Sequence, residues 1–300
     1  MRNKWVMWIM AAVLAAGFIG LYRAVTVRPG GTDSDGKIKV VASGYVPYIL
    51  ARQIGGDKIE LSMLLPANAE PHSFEPTPGT IIAVNGADAF IYVSSRIEPW
   101  VKDVLSGAGK ETAVLEAGKP FAAEKDPHVW MSFAQVRQMA AAIEGVLAGK
   151  DPQNAPYYAA NLEMFDKEIE ELDHAFLTGL ATCQHRTVVH VGHLAFENLT
   201  KNYRLDLKAL AGTSHDGEHS VKKIADLVKF INQNGVKTIF TEETLSPQLA
   251  QTVSRETGAQ LLPLYTIEHV SKDDFKHGVT YADFMKKNLD SLQRGLGCSR

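Results

Sequence analysis

Cysteine is scarce in this chain of 300 residues, which contains only Cys183 and Cys298. So few thiols disfavour metal chemistry based on thiolates. In an exported protein, an isolated pair of cysteines is more often a disulfide than a redox pair or a metal site. If the chain leaves the cytoplasm, we therefore expect a disulfide between Cys183 and Cys298.

The sequence also lacks a surplus of positive charge. Its 31 Lys and Arg residues face 34 Asp and Glu residues, so the formal net charge is −3 and the pI is about 6.4. This balance cannot neutralise a phosphate backbone, which argues against a nucleic-acid partner. With 45% apolar and 22% charged residues, the composition is typical of a soluble globular protein with room for two domains of roughly 100 to 150 residues.

Charge is absent from residues 5–22, an apolar run that follows Arg2 and Lys4. The run is about long enough to cross a bilayer. A secretory signal would need a small-residue cleavage site, and cutting after Ala15 would leave large apolar side chains at the new terminus. We therefore favour an uncleaved anchor within residues 1–30 over a cleaved signal. The lack of a nearby cysteine excludes lipid modification of an N-terminal cysteine. Both alternatives place the rest of the chain outside the cytoplasm, periplasmic or extracytoplasmic.

After a polar, glycine-containing linker at residues 32–37, short apolar runs alternate with helical patterns. Strands are predicted over residues 38–42, 59–64, 89–93, 113–115, 187–191, 205–210, 238–240 and 260–264. Later helices are predicted over residues 194–201, 221–232, 247–256 and 281–296. This alternation predicts an α/β fold made of two small lobes, each with a parallel sheet flanked by helices.

One long helix is predicted between the lobes. Apolar residues recur in steps of four and three along one face of residues 152–180, at Tyr158, Leu162, Phe165, Ile169, Leu172, Phe176 and Leu180. Such a helix would run roughly 40 Å, which suits a rigid spine joining two lobes, although an ordinary domain helix is the alternative. The expected division is an N-terminal lobe over 37–150, a spine helix over 152–182 and a C-terminal lobe over 185–300.

Three of the ten histidines stand at predicted strand-to-helix junctions. His72 lies in a proline-rich loop, His128 follows Pro127, and His193 follows a predicted strand through Gly192. In open α/β sheets, ligands bind beyond the carboxyl ends of the strands. A metal site shared by the three histidines, in the cleft between the lobes, is therefore one interpretation of their positions. Asp126 is close enough in sequence to accept the second ring N–H of His128, as carboxylates often do for metal-binding histidines.

The motifs around these histidines resemble a known family. Pro71-His72-Ser73-Phe74-Glu75-Pro76, Asp126-Pro127-His128-Val129-Trp130, His193-Leu194-Ala195-Phe196 and Phe240-Thr241-Glu242 occur in the order seen in the zinc/manganese solute-binding proteins of bacterial ABC importers. The resemblance runs from about Lys37 to the C-terminus. It implies that the three histidines each give one nitrogen to a single ion, that a permease and an ATPase are the partners, and that the chain acts as a monomer without catalysis.

The choice of metal follows from the donors. Three neutral imidazoles suit Zn²⁺, whereas Mn²⁺ prefers oxygen-rich octahedral sites. Members that resemble manganese carriers commonly replace the third histidine by glutamate and add a late aspartate, and aligning their Gly-Asp-Thr-Tyr pattern here puts Val279 at that aspartate. Zinc is therefore expected, with Mn²⁺ disfavoured. The fourth donor is left open between Glu242 and water.

The remaining histidines have ordinary explanations. His190 is expected to be a buried strand residue, and His174, His185, His269 and His277 are expected at the surface. His215 and His219 lie in a loop that is either simply solvated or a weak auxiliary metal site. Two rival functions also stay open: a zinc-dependent hydrolase, although no His-Glu-x-x-His signature is present, and a metal-stabilised surface adhesin.

Overall fold

Two parallel sheets of four strands form the framework of the protein. The computed structural model describes residues 36–67, 69–210, 221–242 and 247–299. The first sheet contains β1 (Ile38–Ala42), β2 (Ile59–Met63), β3 (Ala89–Tyr92) and β4 (Ala113–Glu116) in the spatial order β2-β1-β3-β4. The second contains β5 (Thr187–Val191), β6 (Asp206–Ala209), β7 (Thr238–Thr241) and β8 (Gln260–Pro263) in the order β6-β5-β7-β8. The two lobes therefore repeat one strand layout, and these eight strands pair with one another in parallel.

Helices cover the faces of both sheets, which is why central strands such as β3 are buried at every position. In the N-terminal lobe they are α1 (Tyr45–Gly55), α2 (Pro78–Asn85), α3 (Val101–Leu105) and α4 (Phe133–Lys150). The long helix is α5 (Ala155–Ala181). In the C-terminal lobe they are α6 (Glu197–Thr200), α7 (Val221–Asn234), α8 (Pro247–Thr257), α9 (Lys272–His277) and α10 (Tyr281–Gly295).

Helix α5 connects the lobes physically as well as along the chain. Six of its seven predicted apolar positions are fully buried, and Leu162 is partly buried against the same core. The buried face packs against α1 and α4 on one side and α10 on the other. With 27 residues, α5 is about 40 Å long. One continuous apolar core consequently runs from β1 through the α5 face to β7 and β8.

A disulfide ties the end of α5 to the C-terminal tail. Cys183 is bonded to Cys298, the pairing expected from the sequence, and closes a loop with a sequence separation of 115. Beside it, the hydroxyl of Thr182 donates to the carbonyl of Ser299 at 3.0 Å. Closing a loop of this length stabilises the fold by up to about 4 to 5 kcal/mol in the chain-entropy model.

One predicted helix is shorter than expected. The pattern predicts a helix over residues 194–201, but α6 begins only at Glu197 and continues after Thr200 as a 3-10 turn. The carboxylate of Asp126, from the other lobe, accepts hydrogen bonds from the first two N–H groups of α6 at 3.1 and 3.3 Å. The helix therefore starts where a distant residue caps it, which no local pattern could reveal.

The apolar segment 5–22 and the loop of His215 and His219 lie outside the described residues. Within the part of the chain that the structure describes, no helix combines the length and apolar character needed to cross a bilayer.

Candidate metal site

The carboxyl ends of the strands in both sheets carry the polar residues singled out above. His72 stands in the loop after β2, His128 in the segment after β4, and His193 just after β5. Glu242 follows β7 directly, and Glu268 stands in the loop after β8. Because strands of a parallel sheet end at one edge, two sheets whose edges face each other bring these loops into one cleft.

His128 is held by Asp126, its neighbour across one proline. The Nδ1 atom of His128 lies 2.5 Å from Oδ1 of Asp126, and the same oxygen accepts the backbone N–H of His128 at 3.0 Å. The side-chain amide of Asn198 donates to the carbonyls of Asp126 and His128 at 3.0 and 3.1 Å. With Nδ1 engaged, the Nε2 atom of His128 is the one turned to the cleft.

His193 is held in the same way by a carboxylate of its own lobe. Its Nδ1 atom lies 2.6 Å from Oε2 of Glu242, and its backbone N–H donates to Oε1 at 3.2 Å. Gly192 makes this approach possible, because a Cβ there would stand 2.3 Å from Oε1 of Glu242. Glu242 thus contacts the nitrogen of His193 that points away from the cleft, and not the nitrogen that points into it.

The loop of His72 is fixed at several points. The indole N–H of Trp100 donates to the carbonyl of Pro71 at 2.8 Å, and the ring of Phe74 packs on Trp100 at 4.9 Å between centroids. The backbone N–H of His72 donates to Oε1 of Glu70 at 3.0 Å. His72 is therefore presented to the cleft by a loop anchored on its own lobe.

Glu268 is the carboxylate that the structure brings to the three histidines. Its Oε1 lies 3.4 Å from Nε2 of His72 and 3.2 Å from Nε2 of His128, and its Oε2 lies 3.0 Å from Nε2 of His193. The carboxylate of this group thus comes from position 268 and not from position 279, where the aspartate of the manganese carriers aligns. Val279 instead uses its carbonyl to accept the hydroxyl of Tyr45 at 2.9 Å.

Glu268 was not predicted from the sequence, although its position after a predicted strand could have indicated it. It follows the last strand of the second sheet, so the strand-end rule that selected Glu242 applies to it as well. Its backbone is set by unusual neighbours: Ile267 has a φ of 66°, and the carbonyl of Thr266 accepts the indole N–H of Trp130 from the other lobe at 2.8 Å.

These four side chains form one compact group. One donor atom from each of His72, His128, His193 and Glu268 lies within 4.8 Å of the other three. Their side chains are 6%, 0%, 0% and 1% exposed, and Nε2 of His72 and both carboxylate oxygens of Glu268 are buried without a hydrogen-bond partner. Buried polar atoms that converge unsatisfied on one point are what a metal ion requires. Three imidazoles and one carboxylate are donors that suit the tetrahedral coordination preferred by Zn²⁺.

The charges of the group are strongly coupled. Burial alone would lower the pKa of His193, but the adjacent carboxylates of Glu268 and Glu242 outweigh it and raise that pKa to about 11. The pKa of His128 is likewise raised, against burial, by Glu268 and Asp126. In return, the two imidazoles hold the pKa of Glu268 well below its usual value despite its burial. A divalent cation would replace the protons that now balance the carboxylates.

The other described histidines do not belong to this group. His190 is fully buried in β5 with its ring against Phe196 at 4.9 Å, as expected. His174, His185 and His277 are exposed, also as expected. The expectation of a surface position is wrong for His269, which is only 4% exposed, because its ring inserts against the loop of the opposite lobe that carries His72.

Comparison with known proteins agrees with this geometry. The family profile described as "ZnuA: Zinc-uptake complex component A periplasmic" matches residues 40–295. The high-affinity zinc uptake system protein ZnuA of Bacillus subtilis is 32% identical over 289 residues, covering 89% of this chain and 90% of that protein. The zinc-binding protein AdcA of Streptococcus pyogenes is 30% identical over 290 residues, but the chain spans only 56% of its length.

A solved structure shows the same fold. The Zn(II)-bound ZnuA-like domain of AdcA from Streptococcus pneumoniae superposes with a TM-score of 0.77 at 29% identity, covering 87% of this chain and 99% of that domain. Sequence and structure together show that the chain belongs to the family of periplasmic zinc-uptake complex component A proteins.

Proposed function

We propose that this protein captures Zn²⁺ outside the cytoplasm and hands it to the membrane permease of an ABC importer, which a partner ATPase drives. The observation that carries the proposal is the buried, convergent group of His72, His128, His193 and Glu268, whose donor atoms lie within 4.8 Å of one another. The names of the relatives, a zinc uptake protein and a zinc-binding protein, support the same cargo.

In this proposal the four residues are the zinc ligands. Each imidazole gives its Nε2 atom and Glu268 gives a carboxylate oxygen, so two ligands come from each lobe. Asp126 and Glu242 hold the remote nitrogens of His128 and His193, which fixes their tautomers and raises their basicity toward the ion. Glu242 therefore supports a ligand and does not act as the fourth one.

The surroundings favour a carrier over a hydrolase. A catalytic zinc site keeps one coordination position open for water or substrate, whereas this group offers four protein donors. The four side chains are also almost completely buried, at 0 to 6% exposed. We therefore infer a binding protein without catalytic activity.

We propose that residues 5–22 tether the protein to the outer side of the cytoplasmic membrane, and that it works as a monomer. The functional units are a lobe over 37–150, the spine helix over 152–182 and a lobe over 185–300. A spine that packs on both lobes limits their relative motion, so zinc would enter by local adjustment of loops.

Metal analysis tests the proposal directly. Protein purified without added metal should contain one zinc per chain, and competition with a chelator of known affinity should give a nanomolar or tighter dissociation constant. His72→Ala, His193→Ala and Glu268→Gln should each weaken binding by at least about tenfold, equivalent to roughly 1.4 kcal/mol.

The matched control is His174→Ala, which removes an exposed histidine of α5 and should leave the affinity unchanged. Unchanged affinity in both His193→Ala and Glu268→Gln would remove the C-terminal lobe from the site and overturn the proposal.

A further inference from the structure

His269 reaches across the cleft to the loop that carries His72. Its Nδ1 atom donates to the carbonyl of Ala69 at 3.0 Å, and its Nε2 atom lies 3.5 Å from Oε2 of Glu70. The side chain of His269 is 3% exposed, and that of Glu70 is 27% exposed. The second lobe thus contacts the loop of the first through the residue next to Glu268.

Glu70 passes this contact on to His72. One carboxylate oxygen faces His269, and the other accepts the backbone N–H of His72 at 3.0 Å. A single side chain therefore links the opposite lobe to the backbone of a proposed zinc ligand. Movement of His269 away from the loop would release Ala69 and Glu70, and with them one of the restraints on His72.

Restraint matters most at His72 because it lies on the outer side of the site. Its side chain is 6% exposed, whereas those of His128, His193 and Glu268 are 0 to 1% exposed. His128 also stands on a segment firmly joined to the other lobe, since Trp130 donates to the carbonyl of Thr266 and Tyr281 donates to the carbonyl of Trp130, at 2.8 and 2.7 Å. The His72 loop is consequently the part of the site best placed to open.

We propose that Glu70 and His269 form an interlobe clasp, which keeps His72 on the zinc ion and sets the rate at which zinc leaves. This inference rests on the proposed zinc-binding function. Glu70 and His269 are positioning residues in it: neither is a zinc ligand, and both act through the His72 loop.

The experiment measures zinc release from the zinc-loaded full chain by stopped-flow transfer to an excess of a chromogenic chelator. His269→Ala and Glu70→Ala should each accelerate release at least about tenfold. The double variant should release zinc no faster than the faster single variant, because both changes open one clasp.

Two conservative variants separate positioning from general damage. His269→Gln keeps an N–H donor within reach of the carboxylate of Glu70, and Glu70→Gln keeps an acceptor for the N–H of His72, so both should stay within about threefold of the parent rate. The visible absorption of the Co²⁺-substituted alanine variants should match that of the parent, since the four ligands are unchanged. His277→Ala, at an exposed histidine of α9, is the control and should release zinc at the parent rate.

The release rates distinguish failure of the clasp from failure of the proposed zinc-binding function. Release from both alanine variants within twofold of the parent overturns the clasp while leaving zinc binding intact. Conservative variants as fast as the alanine variants, or an altered Co²⁺ spectrum, also overturn it, because the effect would then be structural. A parent protein that fails to bind zinc refutes the proposed function and the clasp together.

Discussion

The Nδ1 atom of His193 lies 2.6 Å from Oε2 of Glu242, on the side of the ring opposite the nitrogen that meets Glu268. Both carboxylates are buried, and His193 stands between them. One side chain therefore shares a proton with a carboxylate behind it while turning its other nitrogen to the proposed ion. This arrangement separates the task of orienting a ligand from the task of binding.

Glu242→Gln tests that separation. The glutamine oxygen can still accept the Nδ1 proton of His193, but the variant loses the negative charge that raises the basicity of the ring and the acceptor for the backbone N–H of His193. We expect zinc affinity to fall by about tenfold, within the 10- to 100-fold usual for such partners, and by less than in His72→Ala. Chelator competition measures both variants, with Glu60→Gln, an exposed residue of β2, as the control. If the Glu242→Gln protein lost zinc as completely as the His72→Ala protein, Glu242 would have to be counted among the ligands.

Zinc binding should release protons. The carboxylates around His193 raise its pKa to about 11 against the effect of burial, so the metal-free ring is protonated at neutral pH, whereas zinc binds the neutral ring. Lower pH therefore favours the metal-free form, and the apparent zinc affinity should fall as pH falls. Calorimetric titration at pH 7 in two buffers of different ionisation enthalpy should show release of at least about one proton. An observed enthalpy that does not depend on the buffer would contradict this expectation.

Much of the fold could be predicted because its determinants are local. The strand predicted at residues 187–191 coincides with β5, and the seven apolar positions of the long helix line the buried face of α5. Apolar runs flanked by glycine and proline predict buried strands, and steps of three and four predict a helix face, wherever the lobes end up in space.

The site was only partly predictable because its last members depend on contacts between lobes. His72, His128 and His193 could be selected from their places at strand ends. Glu268 stands in a loop with no periodicity, and its direction follows from the left-handed backbone of Ile267. The burial of His269 comes from Ala69, which is 200 residues away along the chain. Such contacts arise only when two sheets face each other.

Glu98 should make stability depend on pH. Burial raises its pKa to about 7, although Ser43 and the N–H groups of Ser94 and Val93 all donate to it. A carboxyl group whose pKa is raised on folding stabilises the fold fully below its unfolded pKa of about 4.5, and this contribution is lost as pH rises through about 7. The parent protein should therefore lose stability between pH 5 and pH 8.5.

Glu98→Gln isolates that contribution. The amide can accept both N–H groups through its oxygen and donate to the hydroxyl of Ser43, which can reverse its role. Relative to the parent, the variant should gain up to about 3 kcal/mol between pH 5 and pH 8.5, measured by urea denaturation of the metal-free proteins. Glu60→Gln should follow the parent at both pH values. A Glu98→Gln protein with the parent's pH dependence would show that Glu98 does not titrate in this range.

Ile267 offers the most direct test of how the backbone places Glu268. It combines a φ of 66° with complete burial, although a β-branched residue rarely adopts this left-handed conformation, which costs about 1 to 2 kcal/mol. Glycine adopts it freely, so Ile267→Gly should be more stable than Ile267→Ala by about 1 kcal/mol in urea denaturation, the reverse of the usual order.

The control pair is Ile239→Gly and Ile239→Ala, at a fully buried position of β7 outside the left-handed region, where the alanine variant should be the more stable. Glycine also lets the backbone leave the left-handed region. The Ile267→Gly protein should therefore bind zinc more weakly than the Ile267→Ala protein, because Glu268 is no longer held toward the three histidines. Alanine proving the more stable at both positions would mean that Ile267 is not strained, and that packing against the core alone directs Glu268 into the cleft.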